Sequence, residues 1–321
     1  MSDKEVILEF KDVCKRFPGM NKNAVDHVSL SVHKGEFVTI LGTSGSGKTT
    51  LMKMVNLLYD ITEGDILFKG ESIKTLPPVE HRRKIGYVVQ QSGLFPHMTV
   101  EDNIATVPHI LKWDKQRIKD RVTELLALVN LDPEVYRKRY PRQLSGGQQQ
   151  RVGIARALAA NPDMLLMDEP FGAIDAITRE TMQKELLRLQ QTARKTILFV
   201  THDIHEAIKM GDKIIIMHEG RLQQFDTPDN IMLYPANEFV TSLVSADDIM
   251  ERLKTVSLQA VMTPVKGTPG GDDRILPSST TIEASLPIFL ENKEAVVYVQ
   301  DEEGNLIGQV SWEQLGRVTQ R

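Results

Sequence analysis

The chain is 321 residues long, enough for roughly two domains of about 150 residues each. Its 41% hydrophobic and 26% charged residues are the mix of an ordinary globular protein, and a formal net charge of −4 supplies no basic face, so no nucleic-acid partner is expected. Cys14 stands alone, which excludes an intrachain disulfide, and no apolar run reaches the roughly 18–20 residues of a membrane span.

The opening Met1-Ser2-Asp3-Lys4-Glu5 is charged and lacks the apolar stretch of a signal peptide, so a cytoplasmic chain is expected, reaching any membrane through partners. Up to about residue 240, short apolar runs alternate with longer helical patterns, which predicts an α/β core around a largely parallel sheet. Glu36–Leu41 reads as a strand. A helix-rich stretch follows over about 91–160, where Ile118, Val122, Leu125, Leu126 and Val129 recur at helical spacing. Met164–Met167, Thr196–Val200 and Lys213–Met217 read as further strands, without polar alternation, as expected when both sheet faces are covered.

Residues 241–252 read as a linker, and the texture changes from 253 to 321. Met262-Thr263-Pro264 and the breaker-rich Gly267–Gly271 precede a helical stretch, Thr281–Leu290. A strand (Ala295–Val299), a turn at Gly304-Asn305 and a second strand (Leu306–Val310) complete it. About 65 residues make a small core, so a partner copy is expected to complete it.

Gly42-Thr43-Ser44-Gly45-Ser46-Gly47-Lys48-Thr49, with Thr50 following, fits the phosphate-binding pattern G-x-x-x-x-G-K-[ST] between a strand and a helix. Glycines let successive backbone N–H groups point inward around phosphate oxygens, and the following helix adds its positive end. Lys48 is expected to reach the β- and γ-phosphates of ATP, and the Thr49 hydroxyl to ligate Mg²⁺. Met164–Asp168 followed by Glu169 is an apolar strand ending in two carboxylates. Asp168 is placed to hold the metal shell and Glu169 to orient or deprotonate the attacking water.

Leu144-Ser145-Gly146-Gly147-Gln148 stands at the head of a helix that carries Val152, Ala155 and Leu158 and stops at Asn161-Pro162. A hydroxyl, small residues and a helix N-terminus together suit a second phosphate contact. Lying between the phosphate loop and Asp168-Glu169, this segment resembles the signature of ABC ATPases, and the resemblance covers about residues 5–240. It implies a P-loop NTPase with a RecA-like core and an α-helical subdomain, and a head-to-tail homodimer holding two ATP. Ser145, Gly147 and Gln148 would then face the nucleotide held by the partner chain.

By the same resemblance, His202 is the switch histidine that touches the γ-phosphate, and Asp175 belongs to the loop that communicates across the dimer. Gln90 senses Mg²⁺ and water, and Phe17 stacks on adenine. The segment from Asp203 through Gly220-Arg221 to Pro235 resembles importer ATPases, with Leu94–Ile104 forming a docking surface for membrane permease subunits. That implies a peripheral location on the cytoplasmic face of the inner membrane and a substrate-binding protein or domain outside.

Val261–Pro264, Ile275–Pro277 and Val296–Gly308 resemble one cystathionine-β-synthase-type (CBS) repeat, a small α+β unit. An importer ATPase with such a tail resembles the uptake group for glycine betaine, carnitine and choline. The alternatives are another small zwitterion such as ergothioneine, or a non-transport ABC ATPase. Nucleotide-binding repeats tend to end in G-x-x-[ST]-x-x-D, whereas Gly308 and Ser311 are followed here by Gln314, so dimerisation or regulation is the expected role. From Asp247 to Arg321 twelve Asp/Glu face seven Lys/Arg, a net −5 that disfavours a polybasic membrane sensor.

Overall fold

The computed structural model describes residues 5–89, 93–172, 174–245, 253–265, 269, 273–292 and 294–319. The chain divides into two compact units, one ending at Phe225 and the other starting at Asp226.

Four strands of the first unit form one sheet: β1 (Val6–Lys15), β2 (Val25–His33), β4 (Glu63–Phe68) and β5 (Glu71–Ser72), in the order β2-β1-β4-β5. Its β1–β2, β1–β4 and β4–β5 pairs are antiparallel. Sequence reading named no strand before Glu36. Breaks in pairing between Phe10 and Val13 and again between Val13 and Lys15 disrupt the period-2 pattern, and Glu9, Lys11 and Asp12 dilute it.

The second sheet holds β3 (Phe37–Gly42), β6 (Ile85–Val88), β7 (Met164–Asp168), β8 (Thr196–Val200), β9 (Lys213–His218) and β10 (Arg221–Asp226). Its order is β10-β9-β3-β8-β7-β6, with β9–β3, β3–β8, β8–β7 and β7–β6 all parallel. The four strands expected from sequence are present within a residue of their predicted ends.

Both faces of this sheet are covered. On β7, Leu165 and Met167 join one apolar cluster while Met164 and Leu166 join another, and on β8 Ile197 and Phe199 oppose Leu198 and Val200 in the same way. One cluster continues into the antiparallel sheet through Ile7, Phe10 and Val28, together with Leu51 and Met52 of α1 (Lys48–Val55). The other continues into α3 (Val100–Ile110), α4 (Lys115–Leu128) and α6 (Gly146–Leu158), which follow α2 (Pro78–Arg83) and flank α5 (Pro133–Tyr136). All-apolar strands are therefore what burial on two faces requires. Helix α7 (Ala176–Ala193) runs between β7 and β8, and α8 (Ile204–Met210) between β8 and β9.

The second unit takes in α9 (Pro228–Leu233), which the sequence texture groups with the first region, α10 (Glu238–Ser245), which runs five residues into the expected linker, and α11 (Leu258–Val261); residues 246–252 of that linker lie outside the described residues. Its sheet is β11 (Arg274–Pro277), β12 (Val296–Gln300) and β13 (Leu306–Ser311), β11 parallel and β13 antiparallel to the central strand. Helix α12 (Ile282–Glu291) crosses between β11 and β12, and α13 (Trp312–Thr319) follows β13. Ile282, Phe289, Val297, Val299, Val310 and Leu315 are buried, and the Phe289 and Trp312 ring centroids lie 6.4 Å apart. Gln314 accepts a hydrogen bond from the Ser311 backbone N–H at 2.6 Å and another from its hydroxyl, so its carbonyl oxygen serves the start of α13.

Candidate active site

Parallel register brings the chemistry to one edge. Ile40 pairs with Val200, Asp168 with Val200 and Gly42 with Met217, so β3, β7, β8 and β9 end together. The residues that follow, Thr43–Thr49, Glu169 and Thr201-His202, leave from the carboxyl ends, where open α/β sheets bind ligands.

Three glycines shape the loop. Gly45 and Gly47 have φ of 77° and 99°, in the left-handed region that costs an L side chain energy. A Cβ on Gly42 would lie 2.2 Å from the Met217 carbonyl oxygen, and one on Gly47 would lie 2.4 Å from that of Ala24. Lys48 Nζ donates to the carbonyls of Gly42 at 2.8 Å and Thr43 at 2.9 Å, closing the loop on itself. Burial holds its ammonium below the usual lysine range, opposed by the charges of Glu169 and Asp168.

Thr49 donates its hydroxyl to Asp168 Oδ1 at 2.9 Å. Asp168 is buried, which raises its carboxyl above the usual range against the bond from Thr49, with the Glu169 charge adding to the rise. Glu169 sits at φ 43°, and its N–H donates to Val200 O at 3.1 Å. That strained turn sends its carboxylate to within 3.5 Å of His202 Nδ1. Ser44, Gly45, Ser46, Gly47, Lys48, Thr49, Thr50, Glu169 and His202 line one cleft of about 380 Å³ together with Ala24. Ser46 Oγ is buried in that wall with no hydrogen-bond partner among the described residues.

The remaining candidates lie outside this lining. The carbonyls of Gly42 and Thr43 serve Lys48. Phe17 packs edge-on against Tyr59, centroids 5.2 Å apart, with Lys15 Nζ 5.1 Å from its ring centre. Ser145 caps α6, accepting from Gln148 N–H at 3.3 Å while its own N–H donates to Gln148 Oε1 at 3.0 Å. A Cβ on Gly147 would come within 3.1 Å of Thr178 Cγ2, so a small residue lets α6 approach the first turn of α7. Asp175 caps α7 by accepting from Thr178 N–H at 3.0 Å, a bond that holds its carboxyl below the usual range. Gln90 lies outside the described residues.

A family profile described as ABC transporter matches residues 25–172. Over 310 residues the chain is 45% identical to the glycine betaine/carnitine/choline transport ATP-binding protein of Bacillus subtilis, a match that takes in 96% of this chain and 79% of that one. This chain belongs to the ABC transporter ATP-binding proteins. It is 43% identical to the glycine betaine uptake system ATP-binding protein of Escherichia coli over 309 residues, 96% of this chain and 99% of the relative. An ATP-binding cassette solved as a post-hydrolysis dimer with ADP and Pi superposes with a TM-score of 0.63 at 36% identity, covering 69% of this chain and 99% of that one. The fold class expected from sequence is thus the one found.

Two features of this ABC ATPase were missed in the sequence. Ala24 enters the cleft wall from the loop before β2, and no residue type flags a backbone contribution. Asn103, fully buried on α3, accepts from Phe95 N–H at 2.7 Å and donates to the carbonyls of Phe95, Met98 and Thr99. It thereby sets the shape of the loop that leaves Phe95 exposed. A lone buried asparagine beside a Leu-Phe-Pro segment was the available signal. Among the described residues, no helix is long and apolar enough to cross a membrane.

Proposed function

We propose that this ABC ATPase drives the uptake of a small quaternary amine such as glycine betaine, carnitine or choline, as one half of a head-to-tail dimer seated on membrane permease subunits. A single observation carries the reading: the likeness to the Escherichia coli glycine betaine uptake ATP-binding protein runs through almost the whole of both chains, tail included. In this reading residues 253–321 form one CBS-type repeat that pairs with its copy, residues 241–252, whose first five close α10, act as the linker, and the complex faces the cytoplasm with a substrate-binding component on the other side.

Within the cleft, the N–H groups of Gly45–Thr49 would wrap the phosphates and Lys48 would leave its carbonyl partners for the γ-phosphate. Glu169 takes the proton of the attacking water, held in place by the turn at φ 43°. His202, exposed at the mouth 3.5 Å from Glu169, donates to the γ-phosphate. Ser145, Gly147 and Gln148 lie away from this cleft because they serve the partner's ATP. Ser145 Oγ accepts from Gln148, which leaves its hydroxyl proton to donate outward. Phe17 offers a ring beside the nucleotide, and Gln90 would complete the sensing set.

Magnesium suits the donors present. The Thr49 hydroxyl and Asp168 carboxylate are hard oxygens 2.9 Å apart, and the buried Asp168 charge calls for a cation. Bound there, the metal would neutralise charge on the β- and γ-phosphates.

The test is reconstitution of this chain in liposomes with the membrane proteins encoded beside it, and ATP turnover measured against betaine, carnitine, choline and ergothioneine. Stimulation by one of the first three supports the reading. Stimulation by ergothioneine alone reassigns the cargo, and indifference to every solute at low and high salt overturns the importer.

A further inference from the structure

Glu206 is a buried acid outside the cleft. It sits on α8, four residues after His202, and its Oε1 accepts from Gln183 Nε2 of α7 at 3.0 Å. Gln183 is itself buried, and its carbonyl accepts from Lys209 Nζ at 3.1 Å. The Thr201 side chain lies beside the Glu206 carboxyl and helps hold its proton affinity down. Asp203 Oδ1 accepts from the N–H of Glu206 at 3.2 Å, and Asp203 N–H returns to Thr201 Oγ1 at 3.1 Å.

The two ends of this network are the two loops that flank the chemistry. Thr201 precedes His202 and donates its N–H to Ile40 O at 3.0 Å, on the strand that leads into the phosphate loop. On the other side, α7 starts at the Asp175 cap. Arg179, one turn along α7, adds its charge to the surroundings of Glu206 and donates to Ile174 O at 3.1 Å, next to Asp175. An apolar residue would fill a buried site between two helices at lower desolvation cost. A satisfied polar network instead fixes one register between them, because any slide leaves a buried donor or acceptor unpaired. Burial pushes the Glu206 carboxyl above its usual range against the Thr201 side chain and the bond from Gln183, so a neutral amide can stand in for it.

We propose that Glu206 is a positioning residue for ATP hydrolysis: through Thr201 and Gln183 it locks the segment carrying His202 to the helix that begins at Asp175. The bond to Gln183 sets how α7 and α8 move together, and the start of α8, tied to Thr201 through Asp203, sets where His202 presents its ring. The inference rests on the assignment of His202 to the γ-phosphate, so His202→Ala is measured alongside.

The experiment compares Glu206→Leu, Gln183→Leu, the double variant and Glu206→Gln in the full chain, reading kcat, KM for ATP and fluorescent-nucleotide affinity. A displaced catalytic group commonly costs on the order of 10- to 100-fold in rate. Each leucine variant is therefore expected to lower kcat by about tenfold or more with nucleotide affinity changed less than about threefold. The double variant should be no worse than the poorer single, since both remove one connection, and Glu206→Gln should restore most of the rate. Unchanged kcat in Glu206→Leu overturns the proposal. So does a parallel loss of kcat and nucleotide affinity in both single variants, which marks a general folding role, or simple multiplication of the two losses. Normal turnover in His202→Ala overturns the His202 assignment itself and this inference with it. Reduced turnover there with a normal Glu206→Leu overturns the inference alone.

Discussion

Gly47→Ala tests how the phosphate cradle is built. Gly47 stands at φ 99°, and a residue with a Cβ in the left-handed region is strained by roughly 1–2 kcal/mol. The added methyl would also lie 2.4 Å from the Ala24 carbonyl oxygen, a backbone atom that cannot swing aside, and 3.3 Å from Met217 Cε, which can. Overpacking of that kind costs about 1–3 kcal/mol, so the native loop conformation loses about 2–5 kcal/mol in sum. If the free loop relaxes and must be restored when ATP binds, affinity falls by at least about 30-fold, at 1.4 kcal/mol per factor of ten. Gly45 is the internal control. Its φ is 77°, but a Cβ there meets nothing within 4 Å, so Gly45→Ala carries only the backbone strain and should lose about 5- to 30-fold. Fluorescent-nucleotide titration of both variants, with urea melts to place the strain in the free or bound state, makes the comparison. Equal losses at the two positions, or normal binding by Gly47→Ala, would refute the argument that contact with Ala24 sets the cradle.

Three further expectations concern the same unit. Glu169→Gln should retain ATP while turnover drops by about 10²- to 10⁴-fold, the range of general-base catalysis, and near-normal hydrolysis would remove Glu169 from that role. Asp168 has a folded-state carboxyl raised by burial, so its contribution is fully favourable below the unfolded pKa and is lost as pH rises through the higher folded value. Asp168→Asn should therefore raise the melting temperature of the nucleotide-free chain at neutral pH, by roughly 2–4 °C for each kcal/mol recovered, and should remove the stabilisation that Mg²⁺ADP confers on the native protein. A lower melting temperature at neutral pH would contradict the buried-charge account. Gly86→Ala would place a Cβ 2.4 Å from Ala157 O and 2.6 Å from Leu165 Cδ2, where β6 meets the end of α6. A loss of about 1–3 kcal/mol in urea denaturation is expected, and an unchanged midpoint would mean that α6 shifts freely on the sheet.

Local sequence carried the motifs because their function is local. A phosphate loop is a backbone shape, so Gly42, Gly45, Gly47 and Lys48 declare it within eight residues, and the strand before it and helix after it complete the context. Strands β7, β8 and β9 were legible because burial on both faces leaves unbroken apolar runs. Strand β1 was not, since its bulges and charged residues erase the period that marks a strand. The Ser145 capping box was readable as a helix start, with Gln148 three residues on.

Distance in the chain is what sequence reading could not cross. Gln183 and Glu206 meet at 3.0 Å across two helices, 23 residues apart in the chain. Nothing in either local pattern names its partner, because a side-chain hydrogen bond is fixed by where parallel strands stop and how helices pack over them. The same reason hid Ala24, whose carbonyl limits the loop at Gly47 through proximity alone. Residue types thus determined which chemistry the chain carries: a phosphate loop, paired acids, a signature and a small α+β tail. Tertiary structure decided which groups touch, which are buried, and so which carboxyls rise, because those depend on solvent exclusion that only the assembled fold creates.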